Sequence, residues 1–338
     1  MLKLSVLDQS PIREGGSAAQ ALAESLELAK LADRLGYLRY WLAEHHNADG
    51  LAGSAPEVLI ARIAGLTECI RVGAGGVMLS HYSAYKVAEI FRVLEALFPG
   101  RIDLGLGRAP GSDQRTALAL AHPGEAIGAE HYANQVADLI AHVHDQLGAD
   151  HPFAGVKAQP LGPSAPELWL LGSSDQSAAL AAHFGCSFSF AHFISDRMGP
   201  EIMAAYRQAY QPSARTPAPR GSIGVFVICA DSPTEAERLA LSRDLWRLRL
   251  ERGYLGPFPS VEEALAHRYD ECDQAIIRSN RRRQVVGAPE QCRDRLIELA
   301  ARYGVDEVVA VTITYDFKAR LRAYELLAEV FGLPRVTV

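Results

Sequence analysis

Short apolar runs alternate with longer segments of helical periodicity along most of the chain. The first run is followed by a segment in which apolar residues between Ala21 and Leu35 lie on one helical stripe. The same pattern recurs, which predicts strands at residues 3–8, 39–43, 71–79, 102–107, 167–172, 186–191, 222–229 and 307–314. Because strands that alternate with helices form parallel sheets, eight such units predict an α/β fold, a (β/α)8 TIM barrel.

An open, doubly wound sheet is the alternative arrangement of the same elements. It is disfavoured because no predicted strand is followed by Gly-x-Gly-x-x-Gly and a later acidic residue, the pattern of a Rossmann dinucleotide site. The chain has 338 residues, of which 49% are hydrophobic, and this suits one large core. Residues 1–338 are therefore predicted to form a single domain.

Two stretches are longer than a minimal barrel needs. Residues 108–127 contain Gly and Pro and are predicted to form a loop over the carboxyl ends of the strands. Residues 253–288 are predicted to be an inserted loop region after the seventh strand and its helix. Loops of this length are usually functional or disordered.

Charge and composition narrow the range of partners. The formal net charge is -6, and the interspersed signs leave no basic face, so nucleic acid is not a predicted partner. The chain starts like a strand rather than a signal peptide, and no apolar run is long enough to span a membrane, which predicts a cytoplasmic protein. The 5 cysteines are scattered without Cys-x-x-Cys spacing, which disfavours a disulfide framework or a zinc ribbon. A small molecule is the expected ligand.

Titratable side chains follow the second predicted strand, in the segment Glu44-His45-His46-Asn47. Groups at the carboxyl end of a barrel strand are the ones that α/β enzymes use for acid and base chemistry. The spacing lacks His-Glu-x-x-His, so a zinc site is not predicted. The alternative is that one or both histidines only hydrogen-bond to loop carbonyl groups.

Two possible anion-binding features follow the fourth and fifth strands. Arg108 comes directly after Gly105-Leu106-Gly107, where glycines let a ligand approach the backbone and the guanidinium offers a permanent cation. Ser173, Ser174 and Gln176 lie at a helix start, whose free amides and dipole favour phosphate. An ion pair of Arg108 with a carboxylate, and ordinary capping by Ser173 or Ser174, are the alternatives.

The third strand contains Gly73, Gly75 and Gly76, which weaken it unless the space or the torsion angles are needed. A flat ring against the strand or a strained peptide bond would account for them, and a bulge without a ligand is the alternative. On the sixth strand, His192 is more often a structural histidine than a functional one.

Taken in chain order, four segments resemble the bacterial luciferase-like flavin-dependent oxidoreductase and monooxygenase family. They are Glu44-His45-His46-Asn47, the glycine-bearing third strand, Gly105-Leu106-Gly107-Arg108 and Gly172-Ser173-Ser174. The resemblance covers nearly the whole chain. The GRAPGSDQ segment, residues 107–114, is similar to a subgroup of small single-chain luciferase-like monooxygenases.

The resemblance implies a barrel that binds FMN at the carboxyl ends of its strands, usually as a homodimer. Gly75 and Gly76 match the non-prolyl cis peptide of the family, beside which the isoalloxazine ring lies. The residues that match the phosphate site of the flavin are Arg108, Ser173, Ser174 and Gln176. His45 matches the histidine that serves in acid/base chemistry, with a near-neutral pKa suited to moving protons both ways. The luciferases carry a reactive cysteine where this chain has Gly107, so light emission is not expected.

The function that follows is an FMN-dependent monooxygenase that uses reduced FMN and molecular oxygen on a small apolar organic substrate. A separate flavin reductase is expected to supply reduced FMN. The pocket walls are predicted from Trp41, Phe190, Phe193 and the 253–288 insertion, which is expected to act as a mobile loop that shields the flavin from water.

Two alternatives keep the fold and change the chemistry. A deazaflavin (F420)-dependent dehydrogenase would favour a basic track for the cofactor tail, for which the sequence offers only Arg278, Arg281, Arg282 and Arg283. These arginines are more typical of a solvated stretch or an ion-pair network. The second alternative is a non-enzymatic flavin-binding protein, which would need neither His45 nor a lid.

Overall fold

The computed structural model describes residues 2–108, 113–123, 128–213 and 215–335, and within these ranges nine parallel strands form one sheet. The strands are β1 (Lys3–Asp8), β2 (Arg39–Leu42), β3 (Arg71–Met78), β4 (Ile102–Gly107), β5 (Glu167–Gly172), β6 (Ser187–Phe190), β7 (Gly221–Cys229), β8 (Gln284–Gly287) and β9 (Glu307–Val311).

Helices follow the strands in chain order. Within the described ranges they are α1 (Ala18–Arg34), α2 (Pro56–Ala64), α3 (Ala84–Leu97), α4 (Gln114–Ala121), α5 (Tyr132–His144), α6 (Asp175–His183), α7 (Gly199–Ala209), α8 (Pro233–Glu251), α9 (Val261–Ala266), α10 (Glu271–Arg281), α11 (Pro289–Tyr303) and α12 (Phe317–Phe331). No helix of the described chain is both long enough and apolar enough to cross a membrane.

Eight of the strands close into a barrel. β1 to β6 pair in sequence, β6 pairs with β7, β7 pairs with β9, and β9 pairs with β1. The predicted (β/α)8 TIM barrel is therefore confirmed. The predicted strands match these eight closely, and the last strand ends at Val311 instead of residue 314.

The region predicted to be an inserted loop at 253–288 follows the seventh strand and its helix as expected, but it is not a loop throughout. The segment contains α9, α10 and β8. β8 pairs with the carboxyl half of β7, Phe226 to Cys229, while β6 pairs with its first residues, Gly221 to Ile223. Because β6 is much shorter than β7, the backbone N–H and C=O groups in the second half of β7 have no partner on β6. Strand β8 forms hydrogen bonds with them instead.

The loop predicted over 108–127 is also wrong in part. Helix α4 occupies its middle, and the carboxylate of Asp113 accepts a hydrogen bond from the Thr116 amide at 3.0 Å as the N-cap. Residues 109–112 and 124–127, including part of the GRAPGSDQ segment, lie outside the described residues.

The core has two layers because alternate strand residues face opposite sides. Val6, Tyr40 and Leu104 belong to the layer between the barrel and the helices. Inside the barrel, Trp41 and Trp169 meet edge to face, with ring centroids 5.2 Å apart. These two tryptophans fill the interior below the carboxyl ends of the strands.

The glycines of β3 are explained by close packing within the barrel. A Cβ atom on Gly73 would lie 2.3 Å from the carbonyl oxygen of Asp103, and one on Gly75 would lie 2.8 Å from a methyl carbon of Leu7. A Cβ atom on Gly76 would lie 2.7 Å from the carbonyl oxygen of Gly105. The neighbouring strands therefore require glycine at these positions even without a ligand.

Candidate active site

A small apolar cavity of about 120 Å³ opens at the carboxyl ends of the strands. Its walls come from strands on all sides of the barrel and include Leu7, Trp41, Leu171 and Val309. Gly75 and Gly76 also line it, and the peptide bond between them is cis, as the resemblance implies. We call this space the strand-end cavity.

A second cavity of about 480 Å³ shares Phe193 and Ile194 with the strand-end cavity. Helix α8 contributes Arg243, Trp246, Arg247 and Leu250 to its wall. His45, His46 and Gln9 line it from the loops that follow β2 and β1. We call this space the α8 cavity.

Arg108 and the start of α6 meet at the edge of the strand-end cavity. Arg108 lines that cavity, and its Nη1 donates a hydrogen bond to Oε1 of Gln176, in the first turn of α6. Ser174 is the N-cap of α6, and its Oγ accepts from the Ser177 amide at 3.3 Å. Ordinary capping therefore accounts for Ser174, while Ser173 lies beside it and is partly exposed. The structure thus brings the predicted phosphate residues together at one helix start.

The two neighbouring histidines have different surroundings. His46 Nε2 is 2.7 Å from Oε1 of the buried Glu44, and Tyr82 donates its hydroxyl hydrogen to the same oxygen at 2.7 Å. The Met78 amide donates to the other carboxylate oxygen of Glu44 at 3.1 Å. Burial and the Glu44 carboxylate raise the pKa of Tyr82 well above its ordinary value. These contacts fix His46 and the end of β3 to one carboxylate.

His45 has no such partner in the described part of the chain. Its Nδ1 is buried without a hydrogen bond, and the side chain lines the α8 cavity. Burial, followed by the neighbouring His46, lowers the pKa of His45 to about 4. The expected near-neutral pKa is therefore wrong, because burial disfavours the charged imidazolium. At pH 7 His45 is neutral and can accept a proton or a hydrogen bond.

The predicted pocket walls are confirmed in part. Trp41 and Phe193 line the strand-end cavity, whereas Phe190 is fully buried and packs on Tyr303 with ring centroids 5.5 Å apart. Phe190 points to the helix layer, so its prediction as a pocket wall is wrong. The structural interpretation of His192 is confirmed, since its Nδ1 lies 2.8 Å from the Tyr303 hydroxyl.

The insertion contributes little to the cavities in the described chain, where Leu255 lines the α8 cavity. Of the arginines predicted to form a solvated stretch or an ion-pair network, Arg278 is exposed and Arg281 forms ion pairs. Arg281 binds Asp244 and Glu237 of α8, with Nη2 2.7 Å from Asp244 Oδ2. Arg283 donates to the carbonyl oxygen of Ile194.

Three residues of the site escaped the sequence analysis: Tyr82, Arg243 and Trp246. For Tyr82, which follows a short 3-10 turn at Leu79–His81, we find no sequence signal. For Arg243 a signal exists, since it lies four residues after Leu239 and three before Trp246, on the buried stripe of α8. A charged residue on an apolar helix face is informative because burying a charge is costly. No group of three or more possible metal ligands occurs among the described residues.

Comparisons with known proteins match nearly the whole chain. The profile of the luciferase-like monooxygenase family matches residues 2–307. A protein of Escherichia coli (strain K12) named luciferase-like monooxygenase is 39% identical over 331 residues, covering 97% of this chain and 97% of its own. The N-acetyl-S-alkylcysteine monooxygenase of Bacillus subtilis (strain 168) is 36% identical over 340 residues, covering 97% of this chain and 98% of its own.

Solved structures share the fold over the same extent. The crystal structure of apo-MsnO8 superimposes with a TM-score of 0.88 at 39% identity and covers 99% of this chain and 100% of its own. The oxygenating constituent of 3,6-diketocamphane monooxygenase of Pseudomonas putida, in complex with FMN, has a TM-score of 0.71 at 19% identity and covers 100% of both chains. An F420-dependent secondary alcohol dehydrogenase has a TM-score of 0.64 at 14% identity and covers 99% of both chains. These last two likenesses concern the fold alone.

Proposed function

The chain belongs to the luciferase-like monooxygenase family, and on that premise we propose that it is an FMN-dependent monooxygenase acting on a small organic substrate. The observation that carries the proposal is the meeting of Arg108 with the start of α6 at the edge of the strand-end cavity. A cation and a helix N-terminus suit the phosphate of FMN, and the apolar walls beside Gly75 and Gly76 suit a flat ring. Bound FMN would supply the redox chemistry with oxygen.

The residues present fit this cofactor. Arg108 pairs with the neutral amide of Gln176, so a phosphate can take over that hydrogen bond without breaking an ion pair between them. The positive end of the α6 dipole lies beside Ser173 and Ser174 and favours an anion there. We assign the phosphate to Arg108, Ser173, Ser174 and Gln176, and the ring to the side of Gly75 and Gly76.

We assign the acid/base role to His45. Because the imidazole is neutral at pH 7, it begins as a proton acceptor, and it can return the proton later in the cycle. The α8 cavity, which His45 lines, is the proposed place of the substrate. The apolar side chains on its wall, among them Phe193, Phe226 and Trp246, would reduce the access of water to the reacting groups.

The remaining parts of the proposal concern partners. The whole sequence lacks a Gly-x-Gly-x-x-Gly dinucleotide fingerprint, which favours a separate flavin reductase as the source of reduced FMN. The homodimer and the cytoplasmic location stay predictions. F420 is the alternative cofactor, favoured by the fold neighbour that uses it, and a non-enzymatic flavin carrier is the alternative role.

Cofactor binding is tested by titrating the protein with FMN, riboflavin and F420, each in the oxidised and the anaerobic reduced state. We expect FMN to bind at least tenfold more tightly than riboflavin, because riboflavin lacks the phosphate. Replacing Arg108 by Met should remove most of that difference. The control is Arg238→Met, since Arg238 is an exposed arginine of α8 that pairs with Glu235 at 2.8 Å. Equal binding of FMN and riboflavin, or tighter binding of F420, would contradict the assignment.

Oxygen chemistry is tested with reduced FMN, a flavin reductase and 18O2 in the presence of a mixture of small metabolites. A monooxygenase places one labelled oxygen atom in a product, which mass spectrometry detects. Release of hydrogen peroxide in an amount equal to the oxygen consumed, with no labelled product, would instead support the carrier role.

A further inference from the structure

The guanidinium of Arg243 is buried in the wall of the α8 cavity without a hydrogen-bond partner. Only 3% of the residue is exposed, and it projects from the middle of α8. Its Nε and Nη1 make no hydrogen bond to any described residue. An unpaired buried cation is costly, so a residue of this kind indicates a partner that arrives with a ligand.

The neighbouring carboxylates are already bound to other arginines. Asp244, next in sequence, pairs with Arg281 at 2.7 Å, and Glu251 pairs with Arg247 at 2.5 Å. Phe226 covers one face of the Arg243 guanidinium, with Cζ 3.6 Å from the ring centroid. This stacking satisfies the face of the group but not the N–H donors, which lie in its plane.

The surroundings of Arg243 are apolar and electropositive. Burial, with smaller contributions from Arg247, Arg281 and Arg283, lowers the pKa of Arg243 to about 9 against the opposing effect of Asp244. The group is therefore still a cation at pH 7. The apolar side chains on the same cavity are Leu51, Phe193, Phe226, Trp246, Leu250 and Leu255. The polar residues on this cavity besides Arg243 are Gln9, His45, His46, Asp113 and Arg247, and the Asp113 carboxylate is already bound to Asn47 and Thr116. The cavity thus offers the buried charge of Arg243 beside a largely apolar wall.

We propose that Arg243 determines substrate specificity by binding the carboxylate of a small organic acid whose apolar part fills the α8 cavity. The inference deepens the proposed function and rests on it for the identity of the ligand as a substrate. The Nε and Nη1 of Arg243 bind no described residue, so either can donate a charge-assisted hydrogen bond to a carboxylate oxygen. Because His45 lines the same cavity, binding the acid at Arg243 fixes how the rest of the molecule lies relative to His45.

Calorimetric titration with octanoate and octanamide tests the inference. The two probes share one chain and differ in charge, and neither has to be the natural substrate. We expect the wild-type protein at pH 7 to bind octanoate at least tenfold more tightly than octanamide, the size of effect typical of a hydrogen-bonded buried charge. Arg243→Met should reduce octanoate affinity to that of octanamide while leaving octanamide unchanged. Arg243→Lys should retain part of the preference.

The matched control is Arg238→Met, which removes an exposed arginine from the same helix and should leave both affinities within threefold of wild type. Equal wild-type binding of the two probes, binding of neither, or an equal loss of both in Arg243→Met would overturn the inference. If Arg243→Met does not fold, the inference is still tested by comparing octanoate with octanamide binding in the wild-type protein and in Arg243→Lys.

The probe titration is independent of the cofactor titration described above. It is carried out with and without FMN. Loss of the Arg108-dependent FMN binding with retention of an Arg243-dependent preference for octanoate would refute the proposed function but not the ligand class. FMN binding that depends on Arg108, without any preference for octanoate, would refute only this inference.

Discussion

His45 and His46 are adjacent, yet the structure gives them different chemical capacities. Both line the α8 cavity, but His46 is bound to Glu44 within a cluster that also includes Tyr82, whereas His45 has an unpartnered Nδ1 among the described residues. The sequence could show that a titratable pair follows β2. It could not show which imidazole is hydrogen-bonded, because that depends on where Glu44 and Tyr82 lie in the folded protein.

Replacing His45 by Asn should therefore separate cofactor binding from turnover. We expect FMN affinity to stay within about threefold, since His45 is not among the phosphate residues, and turnover to fall by about a hundredfold or more, the usual contribution of a general acid or base. The measurement combines an FMN titration with the rate of 18O incorporation under saturating reduced FMN.

The control is His46→Gln, whose amide nitrogen can replace Nε2 in the hydrogen bond to Glu44. Its turnover should stay within a fewfold of wild type. A His45→Asn protein as active as wild type, or a His46→Gln protein that is equally impaired, would remove His45 from the acid/base role.

At the scale of elements, the start of α6 combines a structural and a proposed binding role. Ser174 caps α6, and Ser232 caps α8 in the same way, with its Oγ 3.2 Å from the Glu235 amide. Alanine at either position should cost about 1 kcal/mol of unfolding free energy, because one backbone donor loses its partner. Urea denaturation of both variants measures this loss.

Only Ser174→Ala should also weaken FMN binding, by about threefold to tenfold, while riboflavin binding stays the same. Ser232 lies on α8 and is not one of the proposed phosphate residues, so Ser232→Ala provides the matched control. An identical FMN affinity in the two variants would restrict Ser174 to capping.

The sequence predicts the strands and helices that bury an apolar stripe. It does not predict β8 and α10, which lack a clear apolar stripe. The eight barrel strands are apolar runs between amphipathic helices, and each was predicted near its observed position. β8 has only four residues, and α10 is a largely polar helix with a capping box formed by Asp270 and Asp273. Both depend on tertiary contacts, the edge of β7 and the pairing of Arg281 with Asp244, which no local pattern reveals.

At the scale of the whole molecule, the barrel interior contains a layer of charged side chains whose partners come from different strands. Arg39 of β2 donates to Asp103 of β4 and to Glu307 of β9 at 2.7 Å each, and all three are buried. Burial by itself would lower the pKa of Arg39, but these carboxylates raise it above its ordinary value. Arg39 and Arg71 lower the pKa of Asp103 against the effect of burial, so this carboxylate stays charged in mild acid. The response of the fold to mild acid is therefore expected from other groups.

Buried neutral histidines should set that response. Burial lowers the pKa of His192 to about 4, with an opposing effect of Asp196, and it lowers that of His144 to about 4 as well. In the unfolded chain a histidine titrates near 6.5. Between about pH 6.5 and 4 the unfolded chain therefore binds protons that the folded protein does not, and the unfolding free energy falls as the pH falls.

Replacing His192 by Asn should make this pH dependence shallower. The variant loses the contact with Tyr303 and is less stable at pH 7, but its unfolding free energy should decline less steeply, by at most about 1.4 kcal/mol per pH unit. Chemical denaturation at pH 7, 6 and 5 measures the slopes. His183→Asn, which removes an exposed histidine of α6, is the matched control. If the unfolding free energies of wild type and His192→Asn fall in parallel with pH, His192 takes up its proton in the folded protein. The hydrogen bond between His192 and Tyr303 would then persist when the imidazole is charged.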